Sequence, residues 1–212
     1  MASEGVRVSA ATRRKPRQSR ARASSEALQE AFVRVLIERG FAGVTVREVA
    51  AVAGVGIGTF YEYVANKEAL AALTIHMRVK ALAQALNDCI ERHRGQALRM
   101  LVSALIDEQV TRVMDEAEPW SALFMLERQV STPEAYRKHY AQFVDLWSRA
   151  VLAASDTPEA SRVPTVARMV HSMVYGWVTQ GLLTQGPDLD RLALRQEIQS
   201  AVAGYLGLLG PK

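Results

Sequence analysis

The segment Gly54–Lys67 reads GVGIGTFYEYVANK and separates two stretches with helical patterning. It opens with three glycines on alternate positions, a composition that disfavours a long helix. Three aromatic residues follow, and then Asn66, which can cap the start of another helix. The segment therefore predicts a tight turn, a short helix and the beginning of a further helix in quick succession.

Helical patterns flank this segment on both sides. Apolar residues recur at helical spacing over about 25–40, which predicts a first helix. Thr45 caps a second helix that Gly54 ends, and Asn66 caps a long helix that runs without glycine or proline to about 94. The second and third helices with the turn between them form a helix-turn-helix, whose second helix usually lies in the major groove of DNA.

The rest of the chain also favours helix throughout. The predicted helices, separated mostly by proline- or glycine-containing breaks, cover 96–116, 119–130, 133–154, 163–185 and 188–209. No strand-like alternation of any length is found in the sequence. We therefore predict an all-α fold of about nine helices, with a helix-turn-helix domain at 25–70 and a larger helical domain at 71–212.

Composition restricts the class of protein. The 212 residues are 49% apolar and 23% charged, as in ordinary globular proteins, and the single Cys89 excludes an intramolecular disulfide. No apolar stretch reaches the roughly 18 residues that a membrane span needs, so we expect a cytoplasmic protein. The four histidines lack metal-ligand spacing with acids, and no glycine-rich phosphate loop precedes a lysine. We expect neither metal, cofactor nor catalysis.

The positive charge is concentrated at the N-terminus. Residues 1–24 contain seven basic residues and one acidic residue, whereas the remainder has a net charge of −2 within a total of +4. Such a basic, Pro/Ser/Ala-rich segment predicts a disordered arm that contacts DNA through residues such as Arg17, Arg20 and Arg22. A solubilising tail is the alternative.

The order of residues around the turn resembles the signature of the tetracycline-repressor (TetR) family of transcription regulators. The resemblance covers about 25–70 and is carried by the runs Thr45-Val46-Arg47-Glu48-Val49-Ala50, Ala53-Gly54-Val55, Gly58-Thr59-Phe60-Tyr61, Tyr63-Val64 and Asn66-Lys67-Glu68-Ala69-Leu70. It implies DNA binding by the helix-turn-helix, a homodimer on a palindromic operator, and a small-molecule effector in the C-terminal domain.

The resemblance also implies individual roles. Phosphate contacts fall on Thr45, Thr59, Tyr61, Tyr63 and Lys67, and base contacts fall on Arg47, Ile57 and Gly58. Thr45 has the alternative role of a helix cap, and Arg47 that of a solvated helix residue. The family commonly has polar residues where Gly56-Ile57-Gly58 stand here. Sequence readout would then depend more on Arg47, on Ile57 against a thymine methyl, on the basic arm and on DNA shape.

The two last helices are predicted to pair with those of a second copy. The helix at 163–185 is apolar nearly all round, which indicates burial on more than one side. The predicted dimer interface consists of Val166, Val170, Met173, Val174, Trp177, Ile198 and Tyr205. A purely internal core is the alternative for both helices.

Aromatic residues at helical spacing mark the middle helices. From periodicity alone such a stripe indicates core; the resemblance implies instead a mostly apolar effector pocket with a few polar groups. The candidate ligand contacts are Met100, Gln109, Trp120, Phe124, Tyr136, Tyr140, Phe143, Trp147, His171 and Tyr175, with a packing role as the alternative for His171. A hydrophobic or aromatic effector is expected.

These observations predict a repressor that a small apolar effector releases from its operator. In the predicted mechanism the effector moves the helix that begins at Lys67, and this movement spreads the two DNA-binding heads. A DNA-binding protein indifferent to sequence is the alternative, and its affinity would depend steeply on salt without preferring an operator.

Overall fold

The computed structural model describes residues 15–209, with side chains from Arg20 onward, and this part of the chain is helical. Its nine α-helices are α1 (Lys15–Gly43), α2 (Val46–Val52), α3 (Ile57–Tyr63), α4 (Lys67–Arg92), α5 (Leu98–Met114), α6 (Ala117–Val130), α7 (Pro133–Ala153), α8 (Val163–Gln185) and α9 (Arg191–Gly207). Short 3-10 turns at Ala160–Arg162 and Gly186–Asp188 precede α8 and α9. The predicted all-α fold is confirmed.

Helix α1 begins inside the segment predicted as a disordered arm. From Lys15 to residue 24 the backbone is helical, which corrects the arm's boundary. Alanines are frequent here and favour helix, and the Arg22 Nε donates to Glu26 Oε1 at 2.7 Å, one turn further on. Arg20 and Arg22 are exposed on this helix. The Arg17 side chain and residues 1–14 lie outside the described residues.

The turns of the N-terminal part follow the predicted caps. Gly40 has φ 65°, a left-handed conformation that interrupts α1 near its end. The Thr45 hydroxyl accepts from the Glu48 N–H at 3.2 Å, but the Glu48 carboxylate pairs with Arg39 at 2.7 Å. The reciprocal bond of a capping box, in which the Glu48 side chain accepts from the Thr45 N–H, therefore does not form. Asn66 Oδ1 accepts from the Ala69 N–H at 2.8 Å and starts α4 as predicted.

Two apolar cores organise the chain. The N-terminal core packs α1, α2, α3 and the first turns of α4 around Phe32, Phe60 and Leu70. The C-terminal core is built from the rest of α4 with α5, α7, α8 and α9. Helix α6 belongs to both cores, because Leu123 and Leu126 pack in the N-terminal one while Trp120 and Phe124 pack in the C-terminal one. We refer to the part built on the N-terminal core as the head.

Candidate DNA-binding surface and ligand cavity

Helix α3 is anchored to the head by one side and exposed on the other. Phe60 is fully buried and Val64 is nearly so. The Tyr61 ring packs edge-on against Phe60 at 5.4 Å between centroids, yet 57% of Tyr61 is exposed. The α2–α3 pair therefore presents a surface on which polar side chains extend from a rigid support.

The predicted DNA contacts from Thr45 to Lys67 lie on α2, α3 or the residues that begin these helices and α4. Those exposed to solvent are Thr45, Arg47, Ile57, Gly58 and Tyr61, whereas Thr59, Tyr63 and Lys67 are half-buried. Exposed residues on a supported helix are available to a duplex, and this arrangement is compatible with the roles that the resemblance implies. Thr45 also fills its alternative role as the cap of α2.

Lys67 has intramolecular partners that the sequence did not indicate. Its ammonium donates to the carbonyl oxygens of Phe41 at 3.0 Å and Val44 at 3.2 Å. It also lies 4.7 Å from the centroid of the Phe41 ring. An ammonium has three donors, so one N–H remains for a phosphate. Lys67 thus fixes the start of α4 to the connection between α1 and α2.

A small cavity of about 60 Å³ lies among α4, α5, α6, α7 and α8. Eight of the ten predicted ligand contacts line it: Gln109, Trp120, Phe124, Tyr136, Tyr140, Phe143, His171 and Tyr175. The sequence reasoning missed six others: Val79, Leu82, Val113, Glu127, His139 and Val178. Glu127 and His139 each lie three residues beyond a predicted lining residue, on the same helical face, and that spacing was the available signal.

Two predicted contacts do not line the cavity and are corrected. Met100 is 62% exposed. It lies nine residues before Gln109, and at about 3.6 residues per turn this places the two on opposite sides of α5. Trp147 is fully buried, packed within the C-terminal core beyond the end of the cavity.

His171 is the most enclosed titratable group of the cavity wall. It is 3% exposed, and its Nδ1 has no hydrogen-bond partner among the described residues. Burial lowers the pKa of His171 to about 4, so the imidazole is neutral near pH 7. The rings of Tyr140 and Phe143 lie 5.2 and 5.6 Å from it. The unpartnered Nδ1 distinguishes His171 from a core histidine whose ring nitrogens are both hydrogen-bonded.

Glu127 and His139 form the polar end of the cavity. His139 Nδ1 lies 3.3 Å from Glu127 Oε1, and only 16% and 10% of the two side chains are exposed. The His139 ring stacks on His76 of α4 at 5.9 Å. Burial, followed by the neighbouring His139, lowers the pKa of His76. Within residues 15–209 no group of three His, Cys, Asp or Glu side chains has the arrangement of a metal site.

The predicted dimer interface requires correction. Val166, Val170, Val174 and Ile198 are at most 1% exposed within a single chain, so these side chains have no surface left for a second copy. Met173 and Tyr205 are half-buried, and Trp177 is 41% exposed. Apolar residues on the outward side of α8 and α9 include Met169, Met173, Trp177 and Leu192, and the exposed Leu208 follows α9. No helix within residues 15–209 has the length and hydropathy that crossing a membrane requires.

Residues 28–73 match the family model of the bacterial regulatory proteins of the tetR family. This match covers α2, α3 and the adjoining parts of α1 and α4, which include the predicted DNA contacts from Thr45 to Lys67. No curated protein matches the sequence.

The fold is similar to that of several crystal structures of TetR-family proteins. A protein of Mesorhizobium loti MAFF303099 assigned to that family superposes with a TM-score of 0.72 at 14% identity, covering 89% of this chain and 98% of that one. A TetR family transcription regulator from Marinobacter aquaeolei VT8 gives a TM-score of 0.68 at 17% identity, covering 88% and 97%. FadR from Bacillus subtilis, in complex with stearoyl-CoA, gives a TM-score of 0.66 at 16% identity, covering 84% and 96%. At these low identities, the TM-scores show a common fold and no more.

Proposed function

We propose that this chain, whose residues 28–73 match the tetR family model and include the helix-turn-helix, is a dimeric repressor released from a palindromic operator by a small effector. The head would bind DNA through α2 and α3, and the cavity would hold the effector. One observation carries the proposal, namely that α6 forms a wall of the cavity with one side and a wall of the head with the other.

The two sides of α6 connect a ligand physically to the head. Trp120, Phe124 and Glu127 line the cavity, whereas Leu123 and Leu126 pack against the core of the head. An effector that displaces the first set also moves the second, because close-packed side chains transmit displacement rather than absorb it.

Helix α4 offers a second connection. Val79 and Leu82 line the cavity, and Lys67 holds the other end of the helix to the head. The predicted movement of α4 is therefore one of two routes. In either case the effector must bind the released state more tightly than the DNA-bound state, or it shifts nothing.

Dimerisation would use the outward face of α8 and α9. Met169, Met173 and Trp177 lie on α8 at spacings of four, and they provide exposed apolar area next to α9. A two-fold axis through this face would present two heads, as a palindromic operator requires.

A competition measurement tests the function as a whole. The full chain is bound to the DNA upstream of its own coding sequence and challenged with random DNA at several salt concentrations. A repressor prefers the upstream DNA by a factor of about 10³ or more. Equal affinity for both DNAs, with a steep salt dependence, would establish the sequence-neutral alternative and overturn the proposal.

Two substitutions on the head separate base readout from phosphate contact. We expect Arg47→Ala to cost about 1–3 kcal/mol on the operator and to relax preference at one base pair. Tyr61→Phe removes one phenol donor and should lower the affinity for every DNA duplex by a similar factor. If Arg47→Ala weakened binding to every duplex equally, Arg47 would contact the DNA phosphates instead of a base.

A further inference from the structure

The unpartnered polar atoms on the cavity wall are able to accept hydrogen bonds. Gln109 Oε1 and His171 Nδ1 are both without a partner among the described residues, and the two side chains are 4% and 3% exposed. A buried acceptor left unpaired is unfavourable by roughly 1–3 kcal/mol. A ligand that donates hydrogen bonds would satisfy these atoms, whereas a ligand with acceptors alone would leave Gln109 Oε1 unpaired.

Six aromatic rings form half of the remaining wall. They come from three helices and are Trp120, Phe124, Tyr136, Tyr140, Phe143 and Tyr175. The face of such a ring carries partial negative charge and attracts a cation within about 6 Å of its centroid, most strongly where water is excluded. The rings therefore suit a positively charged group as well as an apolar body.

The wall contains one acidic side chain and no strongly basic one. Of the described residues that line the cavity, Glu127, which lies 3.3 Å from His139 Nδ1, alone is acidic, and none is a lysine or arginine. His171 adds no positive charge near pH 7, because burial lowers its pKa to about 4. An anion entering this cavity would lose its hydration without gaining a guanidinium or ammonium partner, which is strongly unfavourable.

We propose that the cavity binds an organic cation, consisting of a compact aromatic body with an ammonium group. The ammonium lies against the Glu127 carboxylate and the surrounding rings, and its N–H groups donate to Gln109 or His171. This inference rests on the proposed function, because it names the chemical class of the effector. It also separates this chain from FadR of Bacillus subtilis, which was crystallised with stearoyl-CoA, a ligand whose phosphates are anionic.

Four probes test the ligand class by calorimetry on the full chain without DNA. They are 1-naphthylmethylammonium, neutral 1-naphthylmethanol, anionic 1-naphthylacetate and stearoyl-CoA. We expect the cation to bind about tenfold or more tightly than the neutral alcohol, as a desolvated cation–π contact alone would produce. The anions should bind more weakly still. Equal or tighter binding by the alcohol or by either anion overturns the inference, and so does no binding of the cation at millimolar concentration.

Matched variants locate the charge that selects the ligand. Glu127→Gln should weaken binding of the cation about tenfold and change the affinity for the alcohol by no more than about twofold. Glu159→Gln makes the same change of net charge at an exposed position and should change neither. Tyr140→Leu removes a ring without altering charge, and it should weaken the cation several-fold more than the alcohol even if the Glu127 variant does not fold. Unchanged cation affinity in both cavity variants contradicts the proposed site.

The two proposals fail in different measurements. Tight cation binding with unchanged operator affinity would contradict release by an effector and leave the ligand class supported. Operator release by stearoyl-CoA, with no cation binding, would support the repressor and overturn the ligand class.

Discussion

Gly58→Ala offers a sharp test of the role of α3, because the free protein has room for the added methyl group. No side chain or distant backbone atom of the described residues lies within 4 Å of the position that a Cβ would occupy. The residue lies in the helix and is exposed. Alanine is the better helix former, so we expect the free energy of unfolding to rise by about 0.5 kcal/mol.

Operator binding should change in the opposite direction. If the α3 backbone approaches the duplex at Gly58, a methyl group holds it away and weakens about one hydrogen bond per head, or about 1 kcal/mol. Two heads in a dimer double this to about 2 kcal/mol, which is a loss of about thirtyfold in operator affinity. A variant more stable than the parent that binds DNA less well cannot be explained by misfolding.

Urea denaturation and fluorescence anisotropy with labelled operator measure the two quantities. Gly54→Ala is the matched control, because φ is 68° there and the same methyl group should lower stability by about 1 kcal/mol. Unchanged operator affinity in Gly58→Ala would refute the close approach of α3 to DNA. A loss of stability in Gly58→Ala would refute the reasoning about free space in the helix.

Three further substitutions probe other parts of the molecule. Lys67→Met removes two hydrogen bonds to head carbonyls and should destabilise the protein by about 2 kcal/mol in urea, whereas exposed Lys138→Met should change stability little. In the wild type, the unfolded state binds a proton at His171 below about pH 6.5, whereas the folded state does not until about pH 4. The unfolding free energy of His171→Phe should lack the pH dependence that this difference produces. The wild type should therefore lose up to about 1.4 kcal/mol per pH unit on acidification through that window, relative to the variant; parallel pH curves would contradict the burial argument. Trp177→Arg should shift the sedimenting species from dimer to monomer at micromolar concentration, and Leu152→Arg, also at an exposed position but on α7, should not.

The head could be predicted from the sequence because its signals are local. Glycines at turns, caps at Thr45 and Asn66, and the buried positions of Phe60 and Val64 each depend on neighbours a few residues away. Lys67 is the exception, since its partners belong to the connection between α1 and α2, more than twenty residues earlier. Contacts of that range leave no periodic signal in the sequence.

The orientation of α8 could not be predicted for a different reason. Its valine stripe and its Met169–Met173–Trp177 stripe are both apolar, and a helix without a polar side carries no information about which stripe faces its own chain. The structure turns Val166, Val170 and Val174 inward and leaves the other stripe outward.

The cavity was predictable in part, because helical spacing fixes which residues share a side but not where a void ends. Tyr136, Tyr140, Phe143 and Trp147 form one continuous stripe, yet only the first three reach the cavity. The prediction for Met100 was wrong because nine residues separate it from Gln109, and this spacing places the two on opposite sides of α5.

The shared helix α6 has a consequence for dividing this protein. Cutting the chain after residue 70 would remove Leu123 and Leu126 from the packing around Phe32 and Leu70. The isolated N-terminal fragment would then expose an apolar patch to water. A chimaera that joins the head to a different C-terminal domain would need a compatible α6, or redesigned contacts to α6, to keep these apolar residues buried. The two parts of the protein must therefore change together, although Leu70 and Leu123 are far apart in the sequence.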